Sequence, residues 1–289
     1  MGTQKKGKRL KSLSQGRPPI VKPVPSVSRK TTRTLIRTHH TLEKQKAKAL
    51  NNGDDAKATS LSEAIASHGG IEAYQRASLI GQGNDRGGDS SKLLMEWLEP
   101  IIPILKVQSD GFDKIRMLEV GALSTTNACS KSHLFEMTRI DLNSQAEGIQ
   151  KQDFMDRPLP RKAKHQFDII SLSLVLNYVP DAVGRGDMLL RTLQFLKPRS
   201  HLEGLRELLP SLFLVLPAAC VSNSRYLDEI KLESMMESIG YMSVKKKISN
   251  KLIYYLWRIG SSVTQRRVVH KKVEIRSGKS RNNFAIVMR

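Results

Sequence analysis

Cysteine is nearly absent from this chain: Cys129 and Cys220 are the two in 289 residues, they lie far apart, and no CxxC occurs. The seven histidines form no ligand-spaced cluster with them. That pattern excludes a recognisable zinc site and gives no sign of a disulfide framework. Long apolar runs are missing as well. No stretch is long enough to cross a bilayer, and no early apolar segment resembles a signal peptide. A membrane partner is therefore not expected, and the expected home is cytosol, nucleus or nucleolus. Hydrophobic residues make up 39%, enough for one good core but low for a chain that is globular from end to end.

Acidic residues are scarce where the chain is most charged. Residues 1–50 hold 14 Lys/Arg against Glu43 alone, and residues 245–289 hold 13 against Glu274 alone. The two ends thus carry +13 and +12 of a total of +21, which leaves residues 51–244 at −4. Basic ends around a mildly acidic centre are the footprint of a polyanion-binding protein whose tails contact phosphates without reading sequence. The competing reading is a solubilising or import tail, for which Lys5-Lys6-Gly7-Lys8-Arg9-Leu10-Lys11 is suited.

Three units follow from composition: a disordered basic tail over 1–35, a helical extension and lid over 36–100, and an α/β domain over 101–289. The tail is Lys/Arg, Ser, Thr and Pro and cannot bury enough surface to offset ordering entropy. Helices are predicted over Thr34–Leu50 and Ser60–Ala77. Ser90 or Ser91 is predicted to cap a third through Trp97. The glycine-rich loop 81–89 lacks both a preceding strand and a following Gly-Lys-Ser/Thr, so it is no P-loop. It reads as a connector or as a loop folded over a ligand. Strands are predicted over 115–120, 138–142, 149–153, 167–173, 211–217, 241–248 and 283–288, with helices over Gly186–Leu196 and Asp228–Ile239. The apolar run Leu252–Ile259 fits strand or helix equally.

Another absence narrows the ligand. Where a dinucleotide fold shows Gly-x-Gly-x-x-Gly, this chain has a lone glycine, Gly121-Ala122-Leu123-Ser124. That counts against NAD or FAD, which need room for a pyrophosphate. Yet a glycine after the first strand lets backbone approach a ligand. Asp141, twenty positions on, is placed to bond ribose hydroxyls. Asp153 suits the exocyclic amine of adenine, and Phe154 suits its face. Each acid alone reads equally as a turn former or helix cap. Together they predict a pocket for S-adenosyl-L-methionine, with Ser173 a further contact and Arg76 and Gln82 on a lid.

Several short motifs carry a resemblance. Tyr74-Gln75-Arg76-Ala77-Ser78, Gly87-Gly88-Asp89-Ser90-Ser91-Lys92, Leu118-Glu119-Val120-Gly121, Ile140-Asp141-Leu142-Asn143 and Gln152-Asp153-Phe154 belong to it. Ser171 to Asp181, Arg185 to Leu189 and Asn282-Asn283-Phe284 continue it. Over about residues 72–289 the chain resembles the fungal family of 25S rRNA adenine-N1 methyltransferases. The resemblance implies a seven-stranded, Rossmann-like class I methyltransferase sheet with helices on both faces, Gly121 and Asp141 as cofactor contacts, and nucleolar action on large-subunit rRNA. In methyltransferases of this class target-base contacts follow the fourth strand, which makes Asn177 and Tyr178 the candidates for catalysis. Their bland readings are a turn former and a core aromatic. The Asn-Pro-Pro-Tyr tetrad of many adenine-N6 enzymes is absent.

Arg185 reads as an RNA-backbone contact or a helix cap, and His39-His40, His133 and His201 as bystanders. An animal relative that resembles the family is a cofactor sensor, so a binding protein without methyl transfer is the alternative function. The basic ends favour the enzyme. A small-molecule or protein methyltransferase whose tails serve only import is a third reading.

Overall fold

The computed structural model describes residues 29–81, 88–109, 114–144, 146–198, 203–260 and 269–289. They form one sheet of seven strands: β1 (Ile115–Val120), β2 (Phe135–Asp141), β3 (Gln150–Lys151), β4 (Ile169–Ser173), β5 (Ser211–Pro217), β6 (Tyr241–Ile248) and β7 (Leu252–Ile259). The order is β3-β2-β1-β4-β5-β7-β6. β3, β2, β1, β4 and β5 are parallel, and β7 is antiparallel to both neighbours. The chain runs outward from β1 to β3, then crosses back to lay β4 on the other side of β1. This reversal opens a crevice beyond the carboxyl ends of β1 and β4, where open α/β sheets bind ligands.

Helices precede the sheet and cover it. They are α1 (Arg29–Asn51), α2 (Asp55–Ser67), α3 (Gly70–Gly81), α4 (Ser91–Leu98), α5 (Ile102–Ser109), α6 (Ala128–Lys131), α7 (Ala182–Phe195), α8 (Ala219–Ser222) and α9 (Glu229–Ser238). Alternation along each strand explains the two layers, because successive side chains point to opposite faces. Leu118, Ile170, Leu172, Leu212 and Leu214 face Met188 and Leu189 of α7 and Leu232 and Met235 of α9. Met117, Ile169, Phe213 and Val215 face Leu94 and Leu98 of α4 and Leu105 of α5. With both faces covered, β4 and β5 read as near-continuous apolar runs. None of the helices among the described residues is long and apolar enough to cross a membrane.

Local chemistry sets the boundaries. Asp54 caps α2 through Lys57 N, Asp181 caps α7 through Val183 N and Gly184 N, and Asp228 caps α9 through Lys231 N. Gly240 closes α9 at φ +98°, a conformation that glycine adopts without strain. α4 departs from expectation: Ser90 makes no capping bond, and the Asp89 carboxylate takes Ser91 N at 2.9 Å instead.

Three further expectations are corrected. Helix α1 begins at Arg29 rather than Thr34, with Thr32 buried; the rest of the basic tail lies outside the described residues. The helix expected over Ser60–Ala77 is two, α2 and α3. Gly69 and Gly70 separate them at φ +87° and +59°, which an unbroken right-handed helix does not permit.

The seventh strand is not 283–288. Leu252–Ile259 takes the place beside β5, in seven register pairs from Ser211↔Arg258 to Pro217↔Leu252. The 283–288 segment instead lies over α7: Val287 N donates to Ala182 O at 2.8 Å. Gly186 makes this possible, since a Cβ there would sit 1.9 Å from Val287 O. Phe284, Ala285, Ile286 and Met288 are buried by packing, without a ladder. Both segments are apolar and of strand length, so periodicity does not separate them.

Candidate active site

A cavity of about 860 Å³ opens at the carboxyl ends of β1, β2 and β4. Gly121 follows β1 at φ +73°, and its amide donates to Ile140 O at 2.9 Å. A Cβ on Gly121 would come 2.6 Å from Cγ2 of Val175, another lining residue. Glycine is therefore required here on two counts, backbone sign and space.

Asp141 ends β2 and also lines the cavity. Its Oδ1 accepts from Asn143 N at 2.8 Å and from Gln75 Nε2 of α3 at 2.5 Å. Gln75 further donates to Asn143 O at 2.9 Å, and its Oε1 accepts from Asn143 Nδ2 at 3.0 Å. Burial raises the Asp141 pKa, and the bonds from Asn143 and Gln75 oppose that rise. The carboxylate is thus oriented through one oxygen.

Asp153 lines the same cavity, with Oδ1 accepting Met155 N at 2.7 Å. Phe154 is a wall residue rooted in the core: its ring is buried against Phe195 (centroids 5.3 Å apart), with the Arg191 guanidinium 5.9 Å from its centroid. The exposed apolar side chain in this part of the cavity is Leu142, which sequence reasoning passed over. Its place directly after the strand-end acid was the signal the sequence offered. Arg76 does not join the site; it is exposed on α3 while its neighbours Tyr74 and Gln75 line the cavity. Gln82 lies outside the described residues. The end of the glycine loop does reach over the cavity: Gly88 lines it, and Ser90 Oγ meets Ser173 Oγ at 2.8 Å.

Beyond Ser173 the backbone is strained. Leu174 has φ +60°, uncommon for a non-glycine residue, and lines the cavity. Asn177 follows, and its Oδ1 is buried without a hydrogen-bond partner. Of the five such buried side-chain atoms among the described residues, it alone belongs to a cavity-lining residue. An unpaired buried acceptor costs about 1–3 kcal/mol. Tyr178 comes next; its hydroxyl and His39 Nε2 are 2.8 Å apart.

The histidines at 39 and 40 are not bystanders. His39 is buried and stacks on Tyr74 with centroids 5.0 Å apart, and His40 lines the cavity. Ile36, His40 and Glu43 sit at i, i+4 and i+7 on α1 and all line it; that helical spacing was the signal for them. Arg185, by contrast, is no surface contact. It is buried over the Phe284 ring at 4.5 Å and donates to Ala285 O at 2.6 Å and Pro180 O at 3.2 Å. It ties α7 to the C-terminal segment and to the cavity wall.

Glu119 of β1 stands just outside the lining. Asn127 Nδ2 donates to both its oxygens, at 2.8 and 3.0 Å, and burial pushes its carboxyl up to about 7. Among the described residues no group of three or more His, Cys, Asp or Glu is placed to hold a metal ion.

A cavity at the switch point of this strand order, bordered by a lone strand-end glycine and a strand-end acid, is that of a Rossmann-like S-adenosylmethionine-dependent methyltransferase. The Gly121 turn, where a Cβ would meet Val175, leaves backbone rather than side chain against the cavity, which fits that cofactor. The chain belongs to the family described as 25S rRNA (adenine(2142)-N(1))-methyltransferase, Bmt2, whose model matches residues 59–286. It is 38% identical to the 25S rRNA (adenine(2142)-N(1))-methyltransferase of Saccharomyces cerevisiae over 86% of this chain and 70% of that one. It is also 38% identical to the 25S rRNA adenine-N(1) methyltransferase of Schizosaccharomyces pombe, over 87% of this chain and 89% of the relative. Among solved structures, the DhpI–SAH complex is 14% identical, with a TM-score of 0.37 over 66% of this chain and 95% of that one. At that distance the fold rests on the strand order itself.

Proposed function

We infer that this enzyme methylates N1 of an adenine in 25S rRNA, and that it works in the nucleolus on large-subunit precursors. The unpartnered Asn177 Oδ1, in one cavity with Asp141, carries the reading. A buried acceptor selects the exocyclic amine of adenine and is mismatched to the carbonyl oxygen of guanine. When bound, S-adenosylmethionine supplies a sulfonium methyl group; the in-plane lone pair of N1 takes it, the carbon–sulfur pair stays with sulfur, and the charge passes to the base.

No proton leaves N1, so no strong general base is required. The work of the chain is alignment and water exclusion. Asp141 holds the ribose, oriented by Gln75 and Asn143. Asp153 faces the cofactor's adenine amine, and Leu142 offers an apolar surface to that ring. Ser173 with Ser90 closes the wall. Asn177 fixes the target amine and Tyr178 lies against the target ring. Burial raises the Tyr178 pKa, so its phenol stays neutral and acts as a surface. A base within a helix must first be flipped out. The basic ends supply the phosphate contacts.

The test is direct. Full-length protein is incubated with S-adenosylmethionine and 25S rRNA lacking base methylation, and the nucleosides are separated by mass spectrometry. One equivalent of 1-methyladenosine is expected. Cofactor binding with no methylated nucleoside would instead favour the sensor.

A further inference from the structure

The reaction leaves a positive charge on the target base, and the cavity has a region suited to it that the sheet does not build. Four rings meet at its edge. Tyr74 of α3 and Tyr178 lie 4.8 Å apart between centroids; His40 of α1 stands edge-on to both, at 5.4 Å from Tyr74 and 5.2 Å from Tyr178. His39 backs the group, stacked on Tyr74 and hydrogen-bonded to the Tyr178 hydroxyl. His39 is only 3% exposed, whereas His40, Tyr74 and Tyr178 all line the cavity.

The group also has a polarity. Aromatic faces carry negative potential and attract cations. The Glu43 carboxylate lines the same edge. His40 is the titratable ring among the three cavity-lining rings of this group, and Lys251 lines the cavity as well. Burial, with Lys44, His39 and Arg185 adding to it, lowers the His40 pKa to about 4, so at neutral pH it is an uncharged ring. Position agrees with chemistry. Tyr178 directly follows Asn177, whose Oδ1 awaits a donor, while Gln75, next to Tyr74, marks the ribose side at Asp141. The cage therefore stands between the cofactor's ribose acid and the target-base loop.

We propose that His40 and Tyr74, supplied by the N-terminal helices, complete the target-adenine site with Tyr178, forming an aromatic cage that receives the base and favours the charge it gains. This rests on the adenine reading above. It makes the helical extension part of the substrate site rather than a cover over the cofactor.

The experiment uses the full-length protein and compares Tyr74→Leu, Tyr74→Phe, His40→Lys and His40→Phe with wild type. Affinity for S-adenosylhomocysteine is measured by calorimetry, and 1-methyladenosine formation on 25S rRNA is followed in single turnover at saturating cofactor. A further readout is the relative affinity of the homocysteine-bound protein for RNA carrying 1-methyladenosine or adenosine at the target. Tyr74→Leu and His40→Lys are expected to slow the chemical step by roughly tenfold, the scale of one cation–π contact. Each should also erase any preference for the methylated, charged base. Tyr74→Phe and His40→Phe, which keep a neutral ring, should recover most of both. S-adenosylhomocysteine affinity should stay within about twofold throughout, which also shows that the variants fold. Rate and cofactor affinity falling together would overturn the cage and make these residues a cofactor lid. Wild-type rates in Tyr74→Leu and His40→Lys would overturn it as well. Wild-type protein forming no 1-methyladenosine would end the adenine reading and the cage together.

Discussion

Alanine at Gly121 places a Cβ 2.6 Å from Val175 on a backbone at φ +73°. Gly121→Ala should therefore destabilise the fold by about 1–3 kcal/mol and weaken cofactor binding, read by urea titration and calorimetry. Asp141→Ala should abolish cofactor binding while leaving the protein folded; unchanged affinity would remove Asp141 from the pocket. Glu119 titrates differently from an ordinary acid. Burial pushes its carboxyl up to about 7, from an ordinary value of 4.5. Stability from this group is complete below the lower value and is lost as pH rises through the upper one. Glu119→Gln should match wild type near pH 4 and exceed it at pH 8 by at most roughly 3 kcal/mol. Urea midpoints at the two pH values decide this, and an equal difference at both would refute it. At this scale the turn at Gly121 and the strand end at Asp141 were legible because strand-end chemistry is local. Gln75 was not, and Leu142 and His40 only through their spacing, since what these side chains meet depends on what α1, α3 and β2 bring face to face.

Among the elements, the C-terminal segment departs furthest from its apparent strand character. Phe284 is buried beneath the Arg185 guanidinium and Ala285 O accepts from it, so the segment works as a clasp on α7. Phe284→Ala should cost about 3–5 kcal/mol. Gly186→Ala, which would drive a Cβ to 1.9 Å from Val287 O, should expel the segment and expose it to limited proteolysis. A protease pattern unchanged from wild type would contradict the clasp. The sequence reading of β1 and β5 agrees with the structure at both ends because both strands are apolar runs bounded by turns. It failed between 252–259 and 283–288 because two apolar segments compete for one place beside β5. Hairpin pairing with β6 across a short turn settled the competition.

For the whole molecule the separation of charge yields a salt-dependence prediction. Deleting residues 1–28 removes seven Lys/Arg and spares α1, whose Thr32 is buried. The log–log salt slope of RNA binding should then fall by up to roughly 5, with cofactor affinity unchanged. An identical slope would show that the tail makes no phosphate contact. The exposed lysines at 245 and 247 on edge strand β6 also deter sheet-to-sheet pairing.

Composition and strand-end chemistry by themselves determined an α/β unit between basic ends, with Gly121 and Asp141 at the carboxyl ends of its first two strands. Those features are local, arising from a few neighbouring residues and a count of charges. Only the tertiary structure decided which apolar run completes the sheet, and that Arg185 is a buried tie. It also decided that helices more than a hundred residues before Tyr178 bring His39 and Tyr74 against it. Such contacts are set by packing between distant segments, and no periodicity along the chain records them.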